Sequence, residues 1–116
     1  MKNKIILSAL FLIFLCAFAY SQDTITSKDA KNFIGETKIV KGPVAGVFVS
    51  NKGTVLINFD EDHPNSTFVG VIRVSSNLDY SNIKKGVILT ISGKIEDYKG
   101  KPEIIITDQS QIIKVE

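Results

Sequence analysis

The sequence predicts an all-β domain, a five-stranded barrel with a short N-terminal helix and a helical turn between its third and fourth strands. The main observation is that apolar and polar residues alternate from Thr37 onward, as they do in strands with one buried face. The clearest case is residues 87–96, where Val87, Leu89, Ile91 and Ile95 share one face and Thr90, Ser92, Lys94 and Glu96 the other. Glycine-, asparagine- and proline-containing turns separate one alternating run from the next.

A second observation, glycines inside the strands, indicates how the sheet bends. The strands are expected at residues 38–49, 54–59, 67–74, 87–96 and 103–107, and residues 112–115 close the chain. Gly42 and Gly46 lie inside the first strand and Gly93 inside the fourth. Internal glycines mark bulges or sharp bends, as at a barrel corner. Five such strands are typical of the oligonucleotide/oligosaccharide-binding (OB) barrel. A β-sandwich is the alternative, but it usually needs about seven strands.

Two short helical segments complete the predicted architecture. Thr26 and Asp29 have the spacing of a capping box, which predicts a helix over residues 27–34 that ends at Gly35. Such a short helix is stable only when it packs on the rest of the domain. Residues 80–85 are expected to form the helical turn between the third and fourth strands.

The N-terminus has the three regions of a secretory signal peptide. Lys2 and Lys4 precede an apolar run over residues 5–19, and Ser21 completes an Ala-Tyr-Ser cleavage site. The apolar run is shorter than the ~20 residues that span a bilayer as a helix. We therefore expect cleavage after Ser21, export to the periplasm or the medium, and one domain over residues 22–116. The alternatives are an uncleaved anchor and a lipoprotein attached at Cys16, although Leu15 is not the small residue that lipid attachment requires.

Removal of the signal peptide changes the charge that a partner meets. The whole chain has 14 basic and 12 acidic residues, and Lys2 and Lys4 leave with the signal, so 14 − 2 = 12 basic residues balance 12 acidic ones. A formal charge of zero argues against a dedicated duplex-DNA binder, because phosphate neutralisation drives that affinity. The only cysteine, Cys16, also leaves with the signal, so the domain depends on its core and not on disulfides.

Several short motifs resemble a bacterial family of exported OB-fold domains, found alone in small periplasmic proteins and appended to some extracellular nucleases. The matching residues, spread over residues 25–115, are Ala30, Gly35, Val40, Gly42, Val44, Leu56, Asn58, Phe59, Pro64, Phe68, Val71, Ile72, Gly86, Ile91, Gly93, Ile95, Tyr98, Gly100, Lys101, Pro102 and Ile104 to Ile106. Asp60 and Glu103 depart from the glycine and glutamine usual in the family. The resemblance implies the OB fold, export and nucleic-acid binding, although a fold alone does not carry a function.

The candidate ligand site follows from where OB folds bind, which is across the second and third strands between two flanking loops. The residues expected there are Lys52, Asn58, Arg73, Tyr98, Lys99 and Lys101. In one interpretation Tyr98 stacks on a base and the lysines hold phosphates. In the other, Tyr98 closes the end of the barrel and Lys99 and Lys101 belong to an ordinary solvated turn.

The remaining polar residues give no catalytic set. Residues 60–63 form an acidic run with the only histidine, His63, and we interpret this run as a solvated loop because it lacks the spaced oxygen ligands of a calcium site. No cofactor or enzymatic activity is expected. Two functions remain open: a module that binds single-stranded nucleic acid or another extended polyanion, and an exported protein- or sugar-binding domain with an envelope stress role and no nucleic-acid binding.

Overall fold

The computed structural model describes residues 23–116, so the predicted signal peptide, residues 1–21, lies outside the described residues. The strands are β1 (Thr24–Thr26), β2 (Thr37–Val49), β3 (Val55–Phe59), β4 (Phe68–Ile72), β5 (Ile88–Lys94), β6 (Glu96–Tyr98), β7 (Lys101–Ile106) and β8 (Ile112–Val115). Two 3₁₀ helices lie at Ser27–Phe33 and Gln109–Gln111. The five predicted strands correspond to β2, β3, β4, β5 and β7.

The strands form one sheet in the order β6-β7-β4-β3-β2-β5-β8, and β1 pairs in parallel with β2. The long β2 serves two ladders, pairing with β5 over residues 37–43 and with β3 from Val44 onward. A bulge lies between Val44 and Gly46, within the segment where internal glycines predict a bend. Strands β4 and β7 run parallel, and the other long pairs are antiparallel.

The prediction of a closed five-stranded barrel is wrong, because the sheet has eight strands and remains open between β7 and β5. The side chain of Gln111 bridges this gap: its Nε2 donates to the Ser92 carbonyl of β5 at 3.0 Å and to the Ile105 carbonyl of β7 at 3.1 Å. A side-chain amide therefore satisfies backbone acceptors that a strand ladder satisfies in a closed barrel. The extra strands are short segments, and β6 forms a hairpin with β7.

The predicted N-terminal helix is present, but it is a 3₁₀ helix. Ser27 and Ala30 lie three residues apart and are buried, with Phe33 partly buried in line with them. Gly42 of β2 permits this approach, because a Cβ there would lie 2.0 Å from the Ser27 Oγ. Thr26 precedes the helix as predicted, but it donates its hydroxyl to the Asp29 side chain at 3.1 Å and makes no cap to the backbone.

The predicted helical turn at residues 80–85 is absent, and the segment between β4 and β5 contains only turns. The Asp79 carboxylate accepts from the Ser81 amide at 3.0 Å and from its hydroxyl at 2.7 Å. These hydrogen bonds lower the pKa of Asp79. Local side-chain bonds of this kind compete with helix formation.

The core lies on the inner face of the curved sheet. Phe59 and Phe68 pair across β3 and β4 with ring centroids 5.0 Å apart. Isoleucines supply much of the rest, and Ile57, Ile91 and Ile106 meet over Gly70. Within residues 23–116, no helix is long and apolar enough to cross a membrane.

Candidate functional site

The outer face of β3, β4 and β7 carries a shallow groove whose floor is apolar. Alternation along β3 turns Val55, Ile57 and Phe59 toward the core and leaves Leu56 and Asn58 on the other face. Leu56 pairs with Val71 and Asn58 with Val69 across the ladder. These two valines are only 8% and 9% exposed, so they form a continuous floor.

Three adjoining concavities of about 260, 370 and 500 Å³ make up this groove, and Leu56 lines all three. The first is lined by Leu56, Asn58, His63, Val69, Tyr98, Lys99, Lys101 and Glu103. The second extends over Phe48 and Asp62 at the β2 side, and the third extends over Arg73 and Val74. We call this surface the outer groove.

The outer groove brings together most of the residues predicted from the sequence. Asn58, Tyr98, Lys99 and Lys101 line one concavity, and Arg73 lines the adjoining one together with Tyr98. Lys52 is the exception, since it is exposed in the β2–β3 turn and lines none of the three concavities.

The side chains of two of these residues are already engaged within the protein. The Asn58 Nδ2 donates to the Asp62 carboxylate at 3.3 Å. The Lys101 ammonium donates to the Pro64 carbonyl at 2.9 Å and to the Ser66 hydroxyl at 3.0 Å. A ligand therefore meets both groups in fixed positions.

Tyr98 and Lys99 form the exposed rim of the outer groove beside the β6–β7 turn. Tyr98 is 57% exposed, which is too much for a side chain that closes the end of a core. The Lys99 Nζ lies 5.4 Å from the centroid of the Tyr98 ring. Lys99 and Gly100 have φ values of 51° and 88°, which form the tight hairpin turn between β6 and β7 and hold this pair at the rim.

Glu103 places a carboxylate in the same groove. It pairs with Val69 on one side and directly faces Glu96 on the other. Burial raises the pKa of the Glu103 carboxyl, and the Glu96 carboxylate raises it further, whereas Arg73 lowers it. Glu103 therefore places an acidic group inside the candidate site, in the same concavity as Lys99 and Lys101.

Phe48 is a groove residue that the sequence analysis did not identify. It pairs with Leu56 and is 57% exposed, at the edge of the groove opposite Tyr98. The bulge in β2 shifts the alternation by one residue, so the sequence pattern does not reveal which face Phe48 occupies.

The acidic loop at residues 60–63 contributes to structure through two of its carboxylates. Asp60 accepts hydrogen bonds from the Ser27 hydroxyl at 2.7 Å and from the Thr67 hydroxyl. Asp62 accepts from Asn58 and from the His63 amide. Nowhere in residues 23–116 do three or more histidine, cysteine or acidic side chains assemble into a metal-binding group.

Comparison with known proteins gives a fold and no family. No protein-family model and no curated protein matches the chain. Among solved structures, the protein OBody AM1L10, bound to hen egg-white lysozyme, is similar with a TM-score of 0.57 and 17% identity, over 77% of this chain and 92% of the OBody chain. A second OBody, AM2EP06, also bound to lysozyme, is similar with a TM-score of 0.56 and 14% identity, over 82% and 96% of the two chains.

A putative aspartyl-tRNA synthetase from Leishmania major is also similar, with a TM-score of 0.55 and 10% identity, over 77% of this chain and 20% of the synthetase. The chain has an OB-like fold. This agrees with the order of its five long strands, β7-β4-β3-β2-β5. At these identities the likeness shows the fold alone.

Proposed function

We propose that this chain is an exported OB-fold binding protein, without catalytic activity, that holds single-stranded nucleic acid or a similar extended polyanion along the outer groove. The observation that carries the proposal is the placement of Tyr98 and Lys99 at the rim of an apolar floor, with Arg73 in the same groove. Single-strand binding combines rings that stack on bases with cations that meet phosphates. Export rests on the signal-peptide pattern of residues 1–21 and on the family resemblance.

The charge of the groove implies weak binding. Glu103 lies among the cations, and the domain after cleavage has no net charge. We expect a Kd on the order of micromolar or poorer at physiological salt, with little sequence preference. With three or four phosphates neutralised, log affinity should fall against log salt with a slope of about −2 to −3.

The test is a fluorescence-anisotropy titration with a labelled single-stranded oligonucleotide at low and physiological salt. Tyr98→Ala should weaken binding by ~1–3 kcal/mol, the contribution of one stacked base, and Tyr98→Phe should retain most of the affinity because it keeps the ring. Wild-type protein that shows no saturable binding at low salt would disprove the proposal. If the two Tyr98 variants bind the oligonucleotide with equal affinity, the nucleic acid binds elsewhere on the domain.

A second candidate, binding of a protein segment, is favoured by Glu103 and by the apolar floor of Leu56, Val69 and Val71. A segment with aliphatic and basic side chains would cover the valines and neutralise the carboxylate. The structurally similar OBody proteins are themselves bound to a protein, lysozyme.

Glu103→Gln separates these two functions by the sign of its effect. Removing a carboxylate should tighten binding of an anionic strand and weaken binding of a basic segment. The probes are the labelled oligonucleotide and a panel of synthetic peptides that alternate aliphatic and basic residues. Tighter peptide binding by the variant would exclude the second candidate, and weaker oligonucleotide binding would exclude the first.

A further inference from the structure

The N-terminal 3₁₀ helix presents two lysines side by side. A 3₁₀ helix has three residues per turn, so side chains at positions i and i+3 lie in line. Lys28 and Lys31 have this spacing and are exposed, while Ser27 and Ala30 occupy the buried side. Asp29 falls on a third side, where its carboxylate accepts the Thr26 hydroxyl. Lys28 and Lys31 therefore lie on a different side of the helix from Asp29.

Lys28 and Lys31 open onto a concavity that contains no acidic residue. It has a volume of about 200 Å³ and is lined by Lys28, Lys31, Ser66, Thr67, Gly100, Lys101 and Pro102. We call it the lysine pocket. The concavities of the outer groove all include Glu103 or Asp62, whereas three lysines and no carboxylate line this one. Its lining therefore suits an anion.

The ammonium of Lys101 is fixed in position and keeps its charge available. It donates to a neutral carbonyl, that of Pro64, and to the neutral hydroxyl of Ser66, which is only 5% exposed. An ammonium has three donors, so one remains for a ligand. In the part of the chain that the structure describes, the three ion pairs involve only Lys38, Lys41 and Lys114, and none of the pocket lysines.

Lys101 also connects the two surfaces, because it lines both the lysine pocket and the first concavity of the outer groove. The β6–β7 turn lies at the same junction, with Lys99 facing the groove and Gly100 facing the pocket. A linear polymer that passes Tyr98 and Lys99 can therefore reach Lys28 and Lys31 by way of Lys101.

We infer that the lysine pocket is a phosphate-binding site that receives the backbone of a single strand as it leaves the outer groove. The inference rests on the proposed nucleic-acid function, which it extends from the sheet to the N-terminal helix. Lysine binds phosphate as a point charge and needs no particular orientation of the partner, which suits a flexible strand of any sequence. Lys28 and Lys31 each supply one phosphate contact beyond those of the outer groove, and Lys101 holds the phosphate at the junction. The slope of about −2 to −3 expected from the groove alone therefore becomes steeper by about 1.4 in the wild-type protein.

The experiment compares two double variants that remove the same charge. Lys28→Ala with Lys31→Ala removes two pocket lysines, and Lys84→Ala with Lys85→Ala removes two exposed lysines that line none of these concavities. The probe is fluorescein-labelled oligothymidylate of about 12 nucleotides, within the ~4–16 that one OB fold covers. Affinity is measured by anisotropy at several salt concentrations, beside Tyr98→Ala.

The pocket variant should bind more weakly than the control, and its salt slope should be shallower by about 1.4, from ~0.7 for each lost phosphate contact. A pocket variant that matches the control, while Tyr98→Ala weakens binding, would overturn the inference and leave the groove proposal standing. Absence of wild-type binding would overturn both.

Inorganic pyrophosphate distinguishes two ligands that could occupy the lysine pocket, a nucleic-acid strand and a free phosphate compound. Amide chemical shifts of Lys31 and Gly100 should move with oligothymidylate and only weakly with pyrophosphate, because the strand is also anchored at Tyr98. If pyrophosphate saturates the lysine pocket and the pocket variant keeps its affinity for oligothymidylate, the pocket does not bind a nucleic-acid strand and the inference is overturned.

Discussion

Gln111→Glu tests the side-chain bridge across the open side of the sheet. The substitution keeps the shape of the side chain but replaces the Nε2 amide, which donates to the Ser92 and Ile105 carbonyls, with an oxygen that cannot donate when ionised. The other side-chain oxygen keeps its acceptor role, because the Thr107 and Asp108 amides donate to it at 2.9 and 3.1 Å. The change therefore removes the bridge between β5 and β7 selectively.

The expected cost follows from the two hydrogen bonds that are lost. Each contributes about 0.5–1.5 kcal/mol net, so the free energy of unfolding should fall by about 1–3 kcal/mol. A loss of about 2 kcal/mol corresponds to a fall in Tm of roughly 8–16 °C for a domain of this size. Repulsion between the new carboxylate and two carbonyl oxygens adds to the cost.

The assay is urea and thermal unfolding followed by circular dichroism. Hydrogen exchange at the amides of β5 and β7 shows whether the loss is local to the gap. Asn32→Asp is the control, since it makes the same amide-to-carboxylate change at an exposed residue of the N-terminal helix whose side chain makes no hydrogen bond within residues 23–116, and it should change stability by no more than about 0.5 kcal/mol. Equal effects of the two substitutions, or a loss at Gln111 below about 0.5 kcal/mol, would refute the view that this side chain joins the two strands.

Three further predictions concern the core, the groove and the N-terminus. Ile91 is fully buried, so Ile91→Ala should lower the free energy of unfolding in urea by about 2–5 kcal/mol. Lys94 is exposed, so Lys94→Ala should lower it by no more than about 0.5 kcal/mol, and equal losses would contradict the strand register. Because the pKa of Glu103 is raised, its charged form is disfavoured in the folded state, so Glu103→Gln should stabilise the domain at neutral pH. That gain should disappear as the pH falls below the ordinary glutamate value of 4.5, and a gain that is constant with pH would exclude this cause. Mass spectrometry of the exported protein should find Gln22 as the first residue, and a product that retains Met1 or begins at a lipidated Cys16 would contradict the signal-peptide prediction.

Local patterns in the sequence are sufficient to predict the five long strands, but not the short strands β1 and β6. Alternation predicts β5 and the buried face that contains Leu89 and Ile91, because a period of two is a property of the extended backbone itself. Internal glycines predict the bend in β2 for a similarly local reason. The candidate residues Asn58, Tyr98, Lys99 and Lys101 could be grouped because the order of the strands determines which faces and turns adjoin one another.

The helical segments show where local patterns are insufficient. The spacing of Thr26 and Asp29 predicts a helix, but the close contact of Ser27 with β2 and Asp60 favours a 3₁₀ helix. At residues 80–85 the pattern indicates a helical turn, yet the hydrogen bonds of Asp79 stabilise turns in its place. Contacts with residues distant in the sequence, and competing side-chain bonds, outweigh the weak intrinsic preference of a short helix.

Spacing along the chain is enough to predict that the domain is mostly β, where its long strands lie and which residues of β3 and β5 face the core. The folded arrangement is needed to show that the sheet stays open and is bridged by Gln111, that Phe48 faces the groove, and that Lys28, Lys31 and Lys101 line one concavity. These features join residues that are far apart in the sequence. Their energies depend on distance and burial, which a one-dimensional pattern does not contain.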